Sequence, residues 1–209
     1  MFEIARRVVP AGSVSEDEAA WADLETTVVL VLADGAGGMG GGASAARLAV
    51  QLALEAATQI EVRASGAWAQ ALLLIDDRLV QDRDAGETTL VVAAYWGTGA
   101  AGASVGDSGA WLIPDGQIAP AVLTAEQRRK PLLGSGAAVP IPFQIVTPPG
   151  VLLLASDGLL NYLRHELLVQ TVREDCGEDA ADRLIQAVRL RSGALHDDVS
   201  VLLCRWSPH

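Results

Sequence analysis

The stretch VVLVLADG, residues 28–35, is the part of the sequence from which the fold is best predicted. Its first six residues are apolar and rich in valine, which is typical of a strand buried in a sheet. The strand leads directly into Asp34, so a rigid element carries this carboxylate to the edge of the fold. Gly35 then lets the backbone turn sharply and lets a ligand approach the main chain closely.

The same arrangement occurs a second time in VLLLASDG, residues 151–158, where another apolar run leads into an Asp-Gly pair. Any one aspartate at the end of a strand is also compatible with a residue that merely caps a turn. As a set, however, the carboxylates near predicted strands indicate a cluster at one edge of the fold. Besides Asp34, they are Asp157, Glu16 and Asp17 before the first strand, Asp107 in a glycine-flanked turn, and Asp197 and Asp198 before the last strand.

Such a cluster requires cations, because carboxylates at one edge would otherwise repel one another. Hard oxygen ligands suit Mg²⁺ or Mn²⁺, which keep much of their water shell. Two such ions about 4 Å apart can clamp a phosphate and generate hydroxide for in-line attack. The sequence therefore predicts a two-metal site that acts on phosphate.

The remaining elements occur in blocks of strands and helices, which favours an α+β fold in a single domain over residues 1–209. Glycine-rich residues 35–42 precede a predicted helix that begins near Ala43, with Leu48, Leu52 and Ala56 on one face. The other predicted elements are helices over residues 66–80, 159–172 and 179–191, strands over residues 88–96, 101–113, 151–155 and 199–206, and a mostly irregular segment over residues 120–149.

Composition limits the possible partners. A hydrophobic fraction of 50% with a mean hydropathy of +0.29 suits a compact globular protein, and no apolar stretch approaches the ~20 residues of a membrane span. The formal net charge of −11 would repel nucleic acid and anionic membranes, so we expect neither as a partner. Two cysteines and the absence of an apolar signal core indicate a reduced, cytoplasmic setting.

Five motifs follow one another along the chain: DGAGG (residues 34–38), ETTLVVA (87–93), SVGDSGAWLI (104–113), LLLASDGLL (152–160) and DDVSVLL (197–203). They occur in the order found in metal-dependent serine/threonine phosphatases of the 2C type, the PPM family, which the chain resembles over nearly its whole length. SEDEA, residues 15–19, is similar to that family's N-terminal acidic motif. The resemblance implies a four-layer α/β/β/α sandwich, with two packed antiparallel sheets flanked by helices.

The resemblance also implies the roles of the acidic residues around two Mn²⁺ or Mg²⁺ ions, with no organic cofactor. Asp34 would bridge both ions, and the Gly35 carbonyl would face one of them. Asp157 and Asp197 would hold the first ion, and Glu16 would support the second. A metal-bridging hydroxide would then hydrolyse phosphoserine or phosphothreonine on a protein substrate, with Asp34 and Asp157 as the catalytic residues.

Other positions follow the family pattern less closely. Asp17 is the second candidate, after Glu16, for supporting the second ion. Asp107 corresponds to the ligand of the family's accessory third metal. Asn161 stands where some relatives have another aspartate, so the resemblance implies at most a weak third site. Asp198 stands where the family usually has asparagine, and we expect it, like Asn161, to support the ligands rather than to bind metal.

The phosphate-binding arginine of many relatives is also missing. Residues 12–14, where that arginine would precede the acidic motif, contain none, and the spacing of Arg6 and Arg7 is wrong.

No histidine follows Asp34 and Gly35 as a general acid. The segment between Asp107 and Asp157 is short, which predicts a reduced flap and an open site. The basic run at residues 128–130 is either a solvated loop or a contact for an acidic or phosphorylated substrate.

Two other functions fit parts of the sequence. Gly35, Gly37 and Gly40 form a G-x-G-x-x-G pattern between a strand and a helix, with Glu55 twenty residues after Gly35, as in dinucleotide-binding oxidoreductases. The position of Glu55 within a continuous helical stretch argues against that alternative. The second alternative is a catalytically weak or inactive relative that acts as a regulatory protein-binding module. Such a protein would keep the fold without hydrolysing phosphate.

Overall fold

The computed structural model of the protein describes residues 1–37 and 40–207, so Gly38 of the DGAGG motif lies outside the described residues. Within these ranges the chain forms ten strands and five helices. In chain order they are β1 (Phe2–Val9), β2 (Asp17–Asp23), β3 (Val28–Asp34), α1 (Gly42–Ala57), α2 (Ser65–Gln81), β4 (Leu90–Tyr95), β5 (Gly99–Val105), β6 (Gly109–Pro114), β7 (Ala121–Val122), β8 (Ile141–Val146), β9 (Gly150–Ala155), α3 (Asp157–Leu160), α4 (His165–Glu174), α5 (Glu178–Ala187) and β10 (Val199–Trp206).

The strands form two five-stranded sheets in which every pairing between strands is antiparallel. The strand order is β1-β10-β9-β6-β7 in one sheet and β2-β3-β4-β5-β8 in the other. The two strands predicted from their apolar runs, β3 and β9, therefore lie in the interior of different sheets. Both are buried along their apolar residues, as expected for central strands with cover on both faces.

Three apolar layers hold the fold together. Between the sheets, Leu30 and Leu32 of β3 pack with residues of β6, β9 and β10. One outer layer joins β3, β4 and β5 to α1 and α2 around the fully buried Trp68, and the other joins β9 and β10 to α4 and α5 around Leu168 and Leu184. This α/β/β/α sandwich confirms the predicted α+β fold class.

The dinucleotide-binding alternative is wrong. A dinucleotide fold needs parallel strands joined by a crossover helix, whereas β3 lies between antiparallel neighbours, β2 and β4. Glu55, which would have to follow a second strand, lies near the end of α1.

Several predicted strand boundaries are also wrong. The strand predicted over residues 101–113 is two strands in different sheets, because the chain turns at Gly106, whose φ of 92° favours glycine, and crosses from β5 to β6. The segment over residues 120–149 is mostly irregular, as predicted, apart from β7 and from β8, which pairs with β5 along the edge of its sheet. Strands β1 and β2 were not predicted.

The helices differ from prediction at their ends and in their packing. The helix predicted over residues 159–172 is interrupted between α3 and α4, and the one predicted over residues 179–191 ends at Ala187. In α1 the predicted face of Leu48, Leu52 and Ala56 is only partly buried, and the deeply buried face is made of alanines. Among the described residues, no helix combines the length and the hydropathy that a bilayer crossing requires.

Candidate active site

The backbone of Asp34 is fixed by Thr88 and Thr89, the two residues directly before strand β4. Its amide N–H donates to Thr89 Oγ1 at 2.9 Å. Its carbonyl oxygen accepts from the Thr89 N–H at 2.8 Å and from Thr88 Oγ1 at 2.9 Å. The main chain of Asp34 is thus held by three hydrogen bonds that do not involve its carboxylate.

The structure brings five of the predicted acidic side chains into one cleft of about 340 Å³. They come from both sheets and from the loops at one end of the sandwich, so residues far apart in sequence meet because β3 and β9 end on the same side. Thr89 and Leu132 contribute to the wall. The acidic residues that line the cleft are Glu16, Asp34, Asp107, Asp157 and Asp197, and Gly35 lines it beside them.

The clustering changes the acidity of these side chains. Burial, followed by the charges of Asp17, Asp157, Asp197 and Asp107, raises the pKa of Asp34 to about 9. Burial and the charges of Asp107 and Asp197 also raise the pKa of Asp157. Without a cation, Asp34 therefore retains its proton at neutral pH.

Glu16 and Asp17 are adjacent in sequence but differ in position. Glu16 lines the cleft, whereas Asp17 lies behind it and is 6% exposed. Asp17 is paired with Asp34 across β2 and β3, so both side chains point to the same face of the sheet. Neither Asp17 carboxylate oxygen has a hydrogen-bond partner among the described residues. Burial raises the pKa of Asp17 to about 6, partly opposed by the nearby hydroxyls of Ser200 and Ser156.

The two residues expected to support the ligands both contact the acidic cluster. The carboxylate of Asp198 accepts the N–H groups of Ala11 and Glu16, each at 2.7 Å, and so ties the loop that carries Glu16 to the start of β10. Asn161 Nδ2 donates to Asp157 Oδ2 at 3.1 Å. An asparagine at position 198 would offer a single acceptor oxygen, so aspartate is well suited to receive both N–H groups.

Two glycines of the Asp-Gly pairs allow close backbone contacts. A Cβ at Gly35 would overlap the backbone of Gly42, where α1 begins. A Cβ at Gly158 would overlap the carbonyl oxygen of Asp198. Gly158 therefore lets α3 approach the chain at the start of β10 and keeps Asp157 beside Asp197.

Replacing Gly158 with alanine is expected to cost about 3 kcal/mol of unfolding free energy, because the new methyl group overlaps backbone that cannot move without disturbing β10. Chemical denaturation monitored by circular dichroism measures the loss. Gly66→Ala is the matched control, since Gly66 is also helical and a Cβ there meets nothing within 4 Å. Equal stability of the two variants would contradict the packing argument.

The basic residues are distributed differently from the family pattern. Arg6 pairs with Glu18, and Arg7 pairs with Asp182 and Glu178, so neither reaches the cleft. Arg129 and Lys130 line it instead, and Arg129 Nε lies 2.9 Å from Asp107 Oδ2. Among the described residues that line the cleft, these two are the only basic ones.

Thr88 and Thr89 were given no role in the sequence interpretation, although they hold Asp34. Thr89 Oγ1 is also 2.7 Å from Ser108 Oγ, which connects β4 to the turn that carries Asp107. The sequence feature that could have indicated this role is the pair of hydroxyl residues directly before the buried run of β4. Such a pair is unusual at the start of a core strand unless its hydroxyls have partners.

Comparison with known proteins gives one family match. The sequence profile of the stage II sporulation protein E (SpoIIE) family matches residues 25–207, most of the chain. No curated protein matches the chain in sequence.

The fold is similar to that of several solved bacterial proteins. Serine/threonine phosphatase Stp1 from Staphylococcus aureus has a TM-score of 0.83 and 20% identity, over 100% of this chain and 96% of that one. PppA, a regulatory component of the type VI secretion system in Pseudomonas aeruginosa, has a TM-score of 0.78 and 20% identity, over 98% and 97%. The catalytic domain of the serine/threonine protein phosphatase PstP, solved with two manganese ions, has a TM-score of 0.72 and 22% identity, over 98% and 97%.

Proposed function

We propose that this chain, which belongs to the stage II sporulation protein E family, is a serine/threonine phosphatase of the PPM type that dephosphorylates protein substrates with two divalent cations held by its acidic cluster. The observation that carries this proposal is the meeting of five carboxylates in one cleft, with Asp34 among them. The domain proposed to do this spans residues 1–209.

The chemistry of the donor set suits hard divalent cations. Its atoms are carboxylate oxygens with a backbone carbonyl nearby, and Mn²⁺ and Mg²⁺ prefer such ligands. The raised pKa of Asp34 and the unpartnered oxygens of the buried Asp17 both indicate negative charge that lacks compensation. PstP, which has the same fold, was solved with two manganese ions, and this supports the same number here.

In this proposal Asp34 would be the ligand shared by the two cations, and Gly35 would offer its backbone carbonyl. Asp157 and Asp197 would hold the first cation, and Glu16 would support the second. When bound, the cations would supply positive charge for the phosphate and lower the pKa of bound water, which makes hydroxide more available as the nucleophile.

The residues around this cluster have supporting roles. Asp198 orients Glu16 through its backbone N–H, and Asn161 orients Asp157. Thr88 and Thr89 keep the end of β3 rigid, which matters because catalytic ligands must hold their geometry closely.

The substrate class is a phosphoserine or phosphothreonine on a protein. The cleft is small and lies at the surface, and the loop over residues 123–140 that borders it belongs to a segment that is short for the PPM family. A folded phosphoprotein can therefore approach the site, whereas a deep pocket for a small-molecule substrate is not formed by the residues that line it.

Metal-dependent turnover tests the proposal. We expect the metal-stripped protein to be inactive and to gain hydrolysis of p-nitrophenyl phosphate and of a phosphothreonine peptide on addition of Mn²⁺. Calorimetric titration should show two Mn²⁺ per chain. If the wild-type protein neither binds Mn²⁺ nor turns over either substrate, the enzyme proposal fails, and a regulatory protein-binding relative becomes the better description.

A further inference from the structure

The loop between β7 and β8 brings the only basic run of the chain to the acidic cleft. Of residues 128–130, Arg129 and Lys130 line the cleft, while the exposed Arg128 does not. The run had two interpretations from sequence, a solvated loop or a substrate contact. Its place beside Asp34 favours the second.

This loop is anchored to the same residue that anchors Asp34. Leu133 exchanges both backbone hydrogen bonds with Thr88, each at 3.0 Å, and Thr88 Oγ1 donates to the carbonyl of Asp34. Leu132 and Leu133 are buried. The segment that follows Arg129 is therefore part of the rigid structure that positions the catalytic aspartate.

A buried carboxylate fixes the next part of the loop. Asp76 of α2 is 3% exposed, and it accepts the N–H groups of Gly134 at 2.6 Å, Gly136 at 3.2 Å and Ala138 at 3.1 Å. Three hydrogen bonds to one buried carboxylate hold the turn after Leu133 against α2. The position of Arg129 thus depends on long-range contacts rather than on a free loop.

The guanidinium of Arg129 is oriented but accessible. Its Nε lies 2.9 Å from Asp107 Oδ2, and its side chain is 80% exposed. Asp107 is its only ion-pair partner among the described residues, so the two terminal nitrogens remain available to a ligand. A planar guanidinium presents paired N–H groups that match two oxygens of a phosphate.

The same contact bears on the accessory third cation that the family resemblance implies. Asp107 is the residue expected to bind it, yet here Asp107 pairs with Arg129. Asn161, which replaces an aspartate of some relatives, donates an N–H to Asp157. These nitrogen donors supply hydrogen bonds where a hard cation would need oxygen ligands, so the residues present do not fit a third metal.

We propose that Arg129, held by Asp107, binds the phosphoryl group of the substrate and takes the place of the third cation. This accounts for the missing arginine before the acidic motif, since Arg6 and Arg7 are paired elsewhere. It also explains how a dianionic substrate enters a cleft lined by five carboxylates. The inference rests on the proposed phosphatase function for its substrate.

Three variants test the contact: Arg129→Ala, Arg129→Lys and, as a matched control in the same loop, Arg128→Ala. We expect Arg129→Ala to raise KM for a phosphothreonine peptide and to weaken inhibition by inorganic phosphate about 10- to 100-fold, the range for loss of a charge-assisted hydrogen-bonded contact. The change in kcat should be smaller. Arg129→Lys should recover part of the loss, and Arg128→Ala should match the wild type.

Two binding measurements separate this inference from the proposed function. Calorimetric titration of each variant with inorganic phosphate measures the phosphate affinity without turnover. Equal affinity in Arg129→Ala and Arg128→Ala would overturn the inference. Titration of the wild type with Mn²⁺ should end at two ions per chain, and a third ion bound at comparable affinity would also overturn it. Absence of any Mn²⁺ binding or turnover in the wild type would instead overturn the proposed function.

Discussion

Asp34→Asn is expected to lower kcat/KM for a phosphothreonine peptide by about a thousandfold or more, a loss of about 4 kcal/mol of transition-state stabilisation. The reason is that Asp34 ends β3 at the centre of the acidic cluster and is the proposed ligand of both cations. An uncharged amide of the same shape would weaken both metal contacts at once. Steady-state kinetics over a range of Mn²⁺ concentrations measures the effect.

The fold should survive this substitution. The three hydrogen bonds that hold Asp34 to Thr88 and Thr89 use its backbone, so they are unaffected by a change of side chain. Asp77→Asn is the matched control, because Asp77 is an exposed aspartate on α2 outside the cleft and should keep wild-type activity. Activity of Asp34→Asn within tenfold of the wild type would show that Asp34 is not the central ligand.

The strands that lead to Asp34 and Asp157, the proposed catalytic residues, were predictable because their signal is local. An unbroken apolar run of six residues that ends in Asp-Gly describes β3 without reference to any other part of the chain. The same holds for β9, which ends directly before Ser156 and Asp157. For these two aspartates the sequence therefore predicted both the strand and the end of the strand at which the aspartate lies.

Strand β2 could not be found this way. Its sequence DEAAWAD places Asp17 and Ala19 on the buried face, so its hydrophobic alternation is weak. Pairing with β3 makes it a strand, and that pairing is a long-range property. As a result the burial of Asp17 behind the cleft, in contrast to Glu16, was not visible in the sequence.

The position of Arg129 also depends on long-range contacts that the local sequence does not reveal. Nothing in the proline-rich segment around it indicates where the loop lies, because its anchors are Thr88 and Asp76, far away in sequence. The split of one apolar stretch into β5 and β6 has a similar cause, since crossing between sheets at Gly106 leaves the hydrophobic pattern nearly unchanged. Local pattern specified β3 and β9, whereas tertiary pairing specified β2, the division between β5 and β6, and the site.

The second large effect concerns stability. Mn²⁺ is expected to raise the free energy of unfolding by about 4 kcal/mol for each ion bound when its concentration is about a thousand times its Kd, because it binds the folded chain and not the unfolded one. The increase should be greatest at alkaline pH. Thermal unfolding in Mn²⁺ and in EDTA, followed across a range of pH, measures both.

The sign of the pH dependence follows from the raised pKa values. Folding raises the pKa of Asp34 from 3.8 to about 9 and that of Asp17 to about 6, so the folded protein without metal binds more protons than the unfolded chain between these limits. Its stability must therefore fall as the pH rises from about 4 to about 9. Cations that replace those protons remove most of this loss of stability at high pH.

Asp34→Asn isolates the contribution of that one side chain. Without metal, the variant should be more stable than the wild type at about pH 8, because it buries a neutral amide where the wild type must either keep a proton or bury a charge. It should also gain little from Mn²⁺, whereas Asp77→Asn should gain as much as the wild type. Equal stabilisation of Asp34→Asn and the wild type by Mn²⁺ would mean that the cations bind elsewhere, and the acidic cluster would then need another explanation.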